Sequence, residues 1–264
     1  MRAAARTDGS VDEVVTTVEK DPALCVRILR MANSAMVHPE QRIEEISTAV
    51  QMLGLRRVGS LAQALFTMRD TCNVTGGVDW RHLWVHAFAT AAIAEELQHQ
   101  LGCTACPQLY LAALLHDVGK IVLCTIEPDI YRNILANVWK EESSLDDLEL
   151  TQFGVSHAEA GFIFGSQSGL PAEVVTAIAH HADSTQAKTH RLTVALVTLA
   201  NYFSKFYGLG FSGSHLEDGE LESLSAWTVL DEDIGQTTNI FEVEQEMQSF
   251  VLRLKPELHA MLKV

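Results

Sequence analysis

Basic residues are scarce in this chain: 19 lysines and arginines stand against 34 aspartates and glutamates, a formal charge of -15 over 264 residues. Such a surface repels nucleic acid and anionic membrane in general, with a local basic patch the only escape from the average. Aromatics are also few, at 7%, and strand-like alternation is rare, while alanine and leucine are abundant; this favours helix. Disorder is excluded by the 47% of hydrophobic residues, enough for a real core. The five cysteines, Cys25, Cys72, Cys103, Cys106 and Cys124, are odd in number, and Met1-Arg2-Ala3-Ala4-Ala5-Arg6 has no apolar core behind it to make a signal peptide. A disulfide framework is therefore not expected. No stretch is read as reaching the roughly 18 apolar residues of a membrane span, so the expected place is the cytoplasm. Cys103-Thr104-Ala105-Cys106 has CxxC spacing, but no second pair and no thioredoxin-like strand accompany it, so it reads as a loop.

What the chain does contain is helical punctuation. Ser10 to Glu13 has capping-box spacing and predicts a short helix ending near Lys20. Asp21-Pro22 restarts a helix carrying Leu24, Ile28, Leu29 and Ala32. Ile46, Val50 and Leu53 mark another, with Gly54 as its C-cap and a continuation from Leu55 to Phe66. Asn73 to Gly77 is a turn-rich linker. Beyond it, Trp84, Val85, Phe88, Ala92, Ile93 and Leu97 form one apolar stripe with His86 beside it. Further helices are expected up to His116, over Ile126 to Glu142, from Ser156, over Pro171 to His181 and Leu192 to Phe203, then over Leu221 to Leu230 and Ile240 to Leu262. Glu141 to Asp147 reads as acidic and solvated. The expected domains are 1–77, 78–210 and 211–264.

His116-Asp117 is the pair that carries chemistry. It ends the apolar run Leu111 to Leu115. A histidine and a carboxylate at the end of a buried helix are costly to desolvate without a partner. A metal ion is the most economical one, because neutral imidazole and carboxylate are both good ligands. His86, His157, His180 and His181 fall in similar settings, and ligands from facing helices can converge in a bundle core. Six ligands exceed what one zinc needs and suit two metals bridged by Asp117. Lys120 has donors only, so it is no ligand but can face a substrate phosphate. His180 and His181 diverge by about 100° on a regular helix, so both reach one centre only near a helix end. His82, His99 and His259 read as surface residues.

The order His, His-Asp, His, His-His resembles the HD metal-dependent phosphohydrolase superfamily. The wider chain resembles the HDOD domain, a signalling output module related to those enzymes. Asp21-Pro22-Ala23-Leu24, Arg27 to Ser34, Leu53 to Val58, Leu114 to Lys120, Phe153 to Glu159 and Gly169-Leu170-Pro171 carry the likeness, in order, over roughly residues 10 to 210. It implies an all-α fold, an N-terminal helical subdomain packed on an HD-like helical bundle. It also implies one or two divalent ions (iron, manganese or zinc) held by His86, His116, Asp117, His157, His180 and His181.

The sequence departs from the pattern in two places. Asn201 stands where HD enzymes carry their last acidic ligand, and an amide binds hard cations more weakly than a carboxylate. No Gly-Tyr-Pro element follows His180-His181, so the cyclic-di-GMP substrate of the enzymes that have it is not carried over. The family's opening segment is short in this sequence.

Two functions compete. One is a regulatory module relaying a signal to a protein partner or sensory domain. The other is an active phosphohydrolase or phosphodiesterase on a nucleotide or phosphoester, with Asp117 and Lys120 in catalytic roles. The segment Ser47 to Leu53 with Gly54 and Arg56-Arg57 faintly resembles a helix-turn-helix, but two arginines against a charge of -15 argue against nucleic acid. Neither nucleic acid nor membrane is an expected partner.

Overall fold

The computed structural model describes residues 11–19, 25, 28–29, 31–33, 42–59, 62, 80–103, 106–138, 144–212 and 221–262. No strand occurs among them, and the fold is all-α. The chain divides into two compact units, residues 1–70 and 71–264. The Asp21-Pro22 start, the Asn73 to Gly77 linker and the centre of the CxxC loop lie outside the described residues.

In the first unit, helix α1 (Val11–Val18) packs on α2 (Ile46–Leu53). Val14 and Val18 of α1 and Ala49 and Val50 of α2 are fully buried, the i, i+4 and i, i+1 positions of two amphipathic faces. Asn33 ties the intervening chain together. Its amide donates to Leu29 O (2.7 Å) and Ile43 O (2.8 Å), and its Oδ1 accepts from Ile43 N (2.7 Å). Gly54 ends α2 at φ 79°, a left-handed-region value that suits glycine, and residues 55–59 resume as helix.

The second unit is built around α3 (Arg81–Gln100). The expected stripe is in fact a sleeve: every residue from Leu83 to Ala94 is buried. Alanines at 87, 89, 91, 92 and 94 let α4 (Leu109–Leu115), α10 (Arg191–Phe206) and α12 (Ile240–Leu262) close on it from several sides. Between α4 and α10 run α5 (Val118–Ile126), α6 (Pro128–Val138), α7 (Leu145–Phe153), α8 (His157–Gln167) and α9 (Ala172–His180), and α11 (Ser225–Ile234) lies between α10 and α12. Helix α6 starts with Pro128 in its first turn, where the missing N–H costs nothing.

One expectation needs correction. The window Leu109–Ile126 does have the length and mean hydropathy (1.6) of a membrane span. However, 83% of it is buried inside the protein, and the helix breaks at His116-Asp117, so it is core. The helix expected over Ile126 to Glu142 is α6, which begins at Pro128; residues 139–142 lie outside the described residues.

Candidate metal centre

The break between α4 and α5 places the His116-Asp117 pair. All seven residues of α4 are buried, and His116 is its C-cap. Asp117 is the N-cap of α5 and keeps its carboxylate off the helix backbone, with no capping hydrogen bond. The carboxylate is therefore free to face inward. His157 is the first residue of α8, where a reciprocal capping box between Ser156 and Glu159 fixes the start of the helix. Helix α9 follows the turn at Gly169 and ends at His180, so His181 lies just past its end.

Four imidazoles converge on one carboxylate. Asp117 Oδ2 lies 3.2 Å from His116 Nε2 and 3.8 Å from His86 Nε2. Asp117 Oδ1 lies 3.5 Å from both His157 Nε2 and His181 Nε2. Two donor groups result, His86–His116–Asp117 and Asp117–His157–His181, sharing the aspartate. This is the arrangement of a carboxylate bridging two ligand sets. All these side chains are buried, from His116 at 0% to His157 at 6% exposure.

The far side of each ring is fixed by a hydrogen bond. His116 Nδ1 donates to Ala113 O (2.6 Å) and His181 Nδ1 to Ile178 O (2.9 Å). His157 Nδ1 donates to Glu149 Oε2 (2.7 Å). With the proton held at Nδ1, the Nε2 lone pair of each neutral ring is turned to the centre, the usual preparation of a histidine ligand. His86 differs, because its Nε2 donates to Asn201 Oδ1 at 3.1 Å.

Burial lowers the pKa of His86 and His181 well below the ordinary value of 6.5. Burial and Lys120 oppose charge on His157, yet hydrogen bonds to Asp146 and Glu149 raise its pKa overall. Burial by itself would raise Asp117, but His116 and Lys120 beside it hold it well below the usual carboxylate range. Lys120 Nζ lies 2.8 Å from Asp117 Oδ1, an ion pair that lacks hydrogen-bond alignment.

The donor set fits a divalent cation. His116 Nε2 and Asp117 Oδ2 are buried without a hydrogen-bond partner, and such groups are costly unless a cation satisfies them; Asp117 Oδ1 has the Lys120 ammonium beside it. His157 Nε2 and His181 Nε2 face each other at 3.4 Å, a separation that needs a proton or a cation to bind both lone pairs.

Of the residues singled out from sequence, His86, His116, Asp117, His157, His181, Lys120 and Asn201 come together. His180 does not. It is half-buried at the last position of α9 and belongs to neither donor group, as the divergence of adjacent helical side chains requires. His82, His99 and His259 are exposed.

The sequence reading missed Glu149. It is fully buried and receives Tyr131 Oη–H (2.7 Å), His157 N–H (2.6 Å) and His157 Nδ1–H. Asp146, expected to be solvated, is 53% exposed and lies 3.3 Å from His157 Nδ1. Their only signal was position, on the helix just before His157.

Fold and centre together define an all-α protein with a buried histidine–aspartate centre. The HDOD domain family matches residues 1–184, and the chain belongs to that family. Its fold is similar to that of an HDOD domain protein of unknown function from Geobacter sulfurreducens, with 24% identity and a TM-score of 0.84, covering 98% of this chain and 90% of that one. A candidate phosphohydrolase from Shewanella amazonensis SB2B is similar with 20% identity and a TM-score of 0.73, over 99% of this chain and 90% of that one. A candidate signal transduction protein from Marinobacter aquaeolei VT8 gives 20% and 0.72, over 98% and 56%. An uncharacterised protein of Treponema pallidum (strain Nichols) is 25% identical over 207 residues, 78% of this chain. The match spans 40% of that relative's length.

Proposed function

We propose that the chain is an HDOD-type regulatory module whose buried histidine–aspartate centre binds a divalent metal and relays a signal through a protein partner or sensory domain. The observation that carries this reading is the burial of every donor: none of His86, His116, Asp117, His157 and His181 exceeds 6% exposure. A phosphoester needs to reach a hydrolytic metal through an open position. A closed centre suits a metal that holds helices in place. Asn201 adds to this, because the amide supplies no charge and already binds His86.

When bound, the metal would supply Lewis acidity and electrostatic cross-linking. The protein's part is to hold the Asp117 carboxylate between His86 and His116 on its Oδ2 side and His157 and His181 on its Oδ1 side. Tyr131 and Glu149 hold the His157 ring from behind.

A phosphohydrolase is the second reading. It is favoured by the two ligand sets sharing Asp117 and by the likeness to the Shewanella candidate phosphohydrolase. A phosphodiesterase assay with Mn(II) or Fe(II) separates the two. The regulatory reading expects no turnover above the metal-only blank. Turnover that disappears on His116→Ala or Asp117→Ala overturns it.

A further inference from the structure

The two oxygens of Asp117 do not have equivalent surroundings. Oδ2 faces His116 and His86, with Asn201 behind His86. Oδ1 faces His157 and His181, and there the Lys120 ammonium is the closest group, at 2.8 Å against 3.5 Å for each imidazole. Lys120 is itself buried, at 2% exposure, so no solvent screens it. Its backbone is also fixed. A Cβ on the preceding Gly119 would lie 1.8 Å from His157 O and 2.7 Å from Gly161 N, so α5 and α8 touch backbone to backbone at this point.

We propose that Lys120 is the resident cation of the Oδ1 half of the centre and limits it to one divalent ion. This rests on the metal-binding reading above. The ammonium has three donors and no lone pair, so it cannot join a metal as a ligand. It neutralises the carboxylate that a metal in this half would need, and it repels a second positive charge from the same oxygen at short range. The Oδ2 half has no such occupant. The ligand inventory is sufficient for two ions, and one lysine sets the number that bind.

The test is metal stoichiometry by equilibrium dialysis against zinc, read by elemental analysis, for wild type, Lys120→Met and Lys120→Arg. Circular dichroism confirms that each is folded. The expected result is one equivalent for wild type and Lys120→Arg, and two for Lys120→Met. If Lys120→Met does not fold, Lys120→Gln keeps a donor for Asp117 without the charge and carries the same expectation. Two equivalents in wild type overturn the proposal, as does one equivalent in the neutral variant, with the metal-binding reading left standing. No zinc in any of the proteins overturns both.

Discussion

Glu149 Oε2 accepts both hydrogens that His157 offers on that side, the backbone N–H at 2.6 Å and the ring Nδ1–H at 2.7 Å. One buried carboxylate thus fixes where α8 begins and which way its first side chain points. Its other oxygen takes the Tyr131 hydroxyl, and burial together with Glu149 pushes the Tyr131 phenol well above its ordinary pKa. Glu149→Gln keeps the shape but turns one acceptor into a donor. Zinc affinity is expected to change little, because the one ion lies on the Oδ2 side with His116 and His86, away from His157. The fold should lose roughly 1–3 kcal/mol, because a buried donor loses its acceptor. Isothermal titration with zinc and urea unfolding of the metal-free protein measure the two effects.

Gly119→Ala tests the contact between α5 and α8. The added Cβ would sit 1.8 Å from a backbone carbonyl, which no rotamer change relieves. Overpacking in cores costs about 1–3 kcal/mol and occasionally more. With backbone on both sides, the loss here is expected at or above the top of that range. Gly154→Ala is the comparison: its Cβ would meet nothing, but its φ of 73° makes alanine mildly strained. Urea midpoints should fall far more for Gly119→Ala than for Gly154→Ala.

The stability of the metal-free protein should depend on pH with a definite sign. Burial depresses the pKa of His86 and His181 below 6.5 in the folded state. The unfolded chain therefore takes up protons first as pH falls through about 6.5. Each histidine then removes stability at about 1.4 kcal/mol per pH unit until its folded pKa is reached. His157 acts oppositely because its folded pKa is raised. Its contribution is fully present below 6.5 and is lost as pH rises through its folded value. Asp117 is depressed, so its contribution persists until pH falls below the ordinary carboxylate range near 3.8. Urea unfolding from pH 8 to pH 5 should show stability falling steeply below 6.5. A flat profile there would contradict the burial of two uncharged histidines.

Asn201→Asp adds a negative charge where His86 Nε2 now donates to an amide oxygen. The metal-free fold should weaken, because a second carboxylate then lies near buried Asp117. Metal affinity should rise by at least tenfold, since carboxylate binds divalent cations better than amide. The rise in melting temperature on adding zinc should therefore be larger in the variant than in wild type.

The local pattern of the sequence was enough to find the helix containing His86, the capped start at Ser156, the turn before α9 and the His116-Asp117 pair. Caps and apolar spacing are local, and local signals survive in one dimension. Glu149 was not visible for the opposite reason. Nothing around it distinguishes a carboxylate folded under a neighbouring helix from one facing water. The separation of His180 from His181 required the exact end of α9, which pattern alone leaves open by a residue or two. The Leu109–Ile126 window looked unexceptional because His116 and Asp117 interrupt it, although its average hydropathy is that of a membrane span.

The account rests on the convergence of four imidazoles and Asp117 as a metal centre. Metal content tests it most directly, measured on protein purified without chelator or nickel affinity, beside the His116→Ala/Asp117→Ala double variant. The account predicts bound iron, manganese or zinc at about one equivalent in wild type and none in the folded double variant, consistent with a buried site of three to five nitrogen and oxygen donors. No metal in either protein, with both equally folded and zinc added in excess, would contradict it.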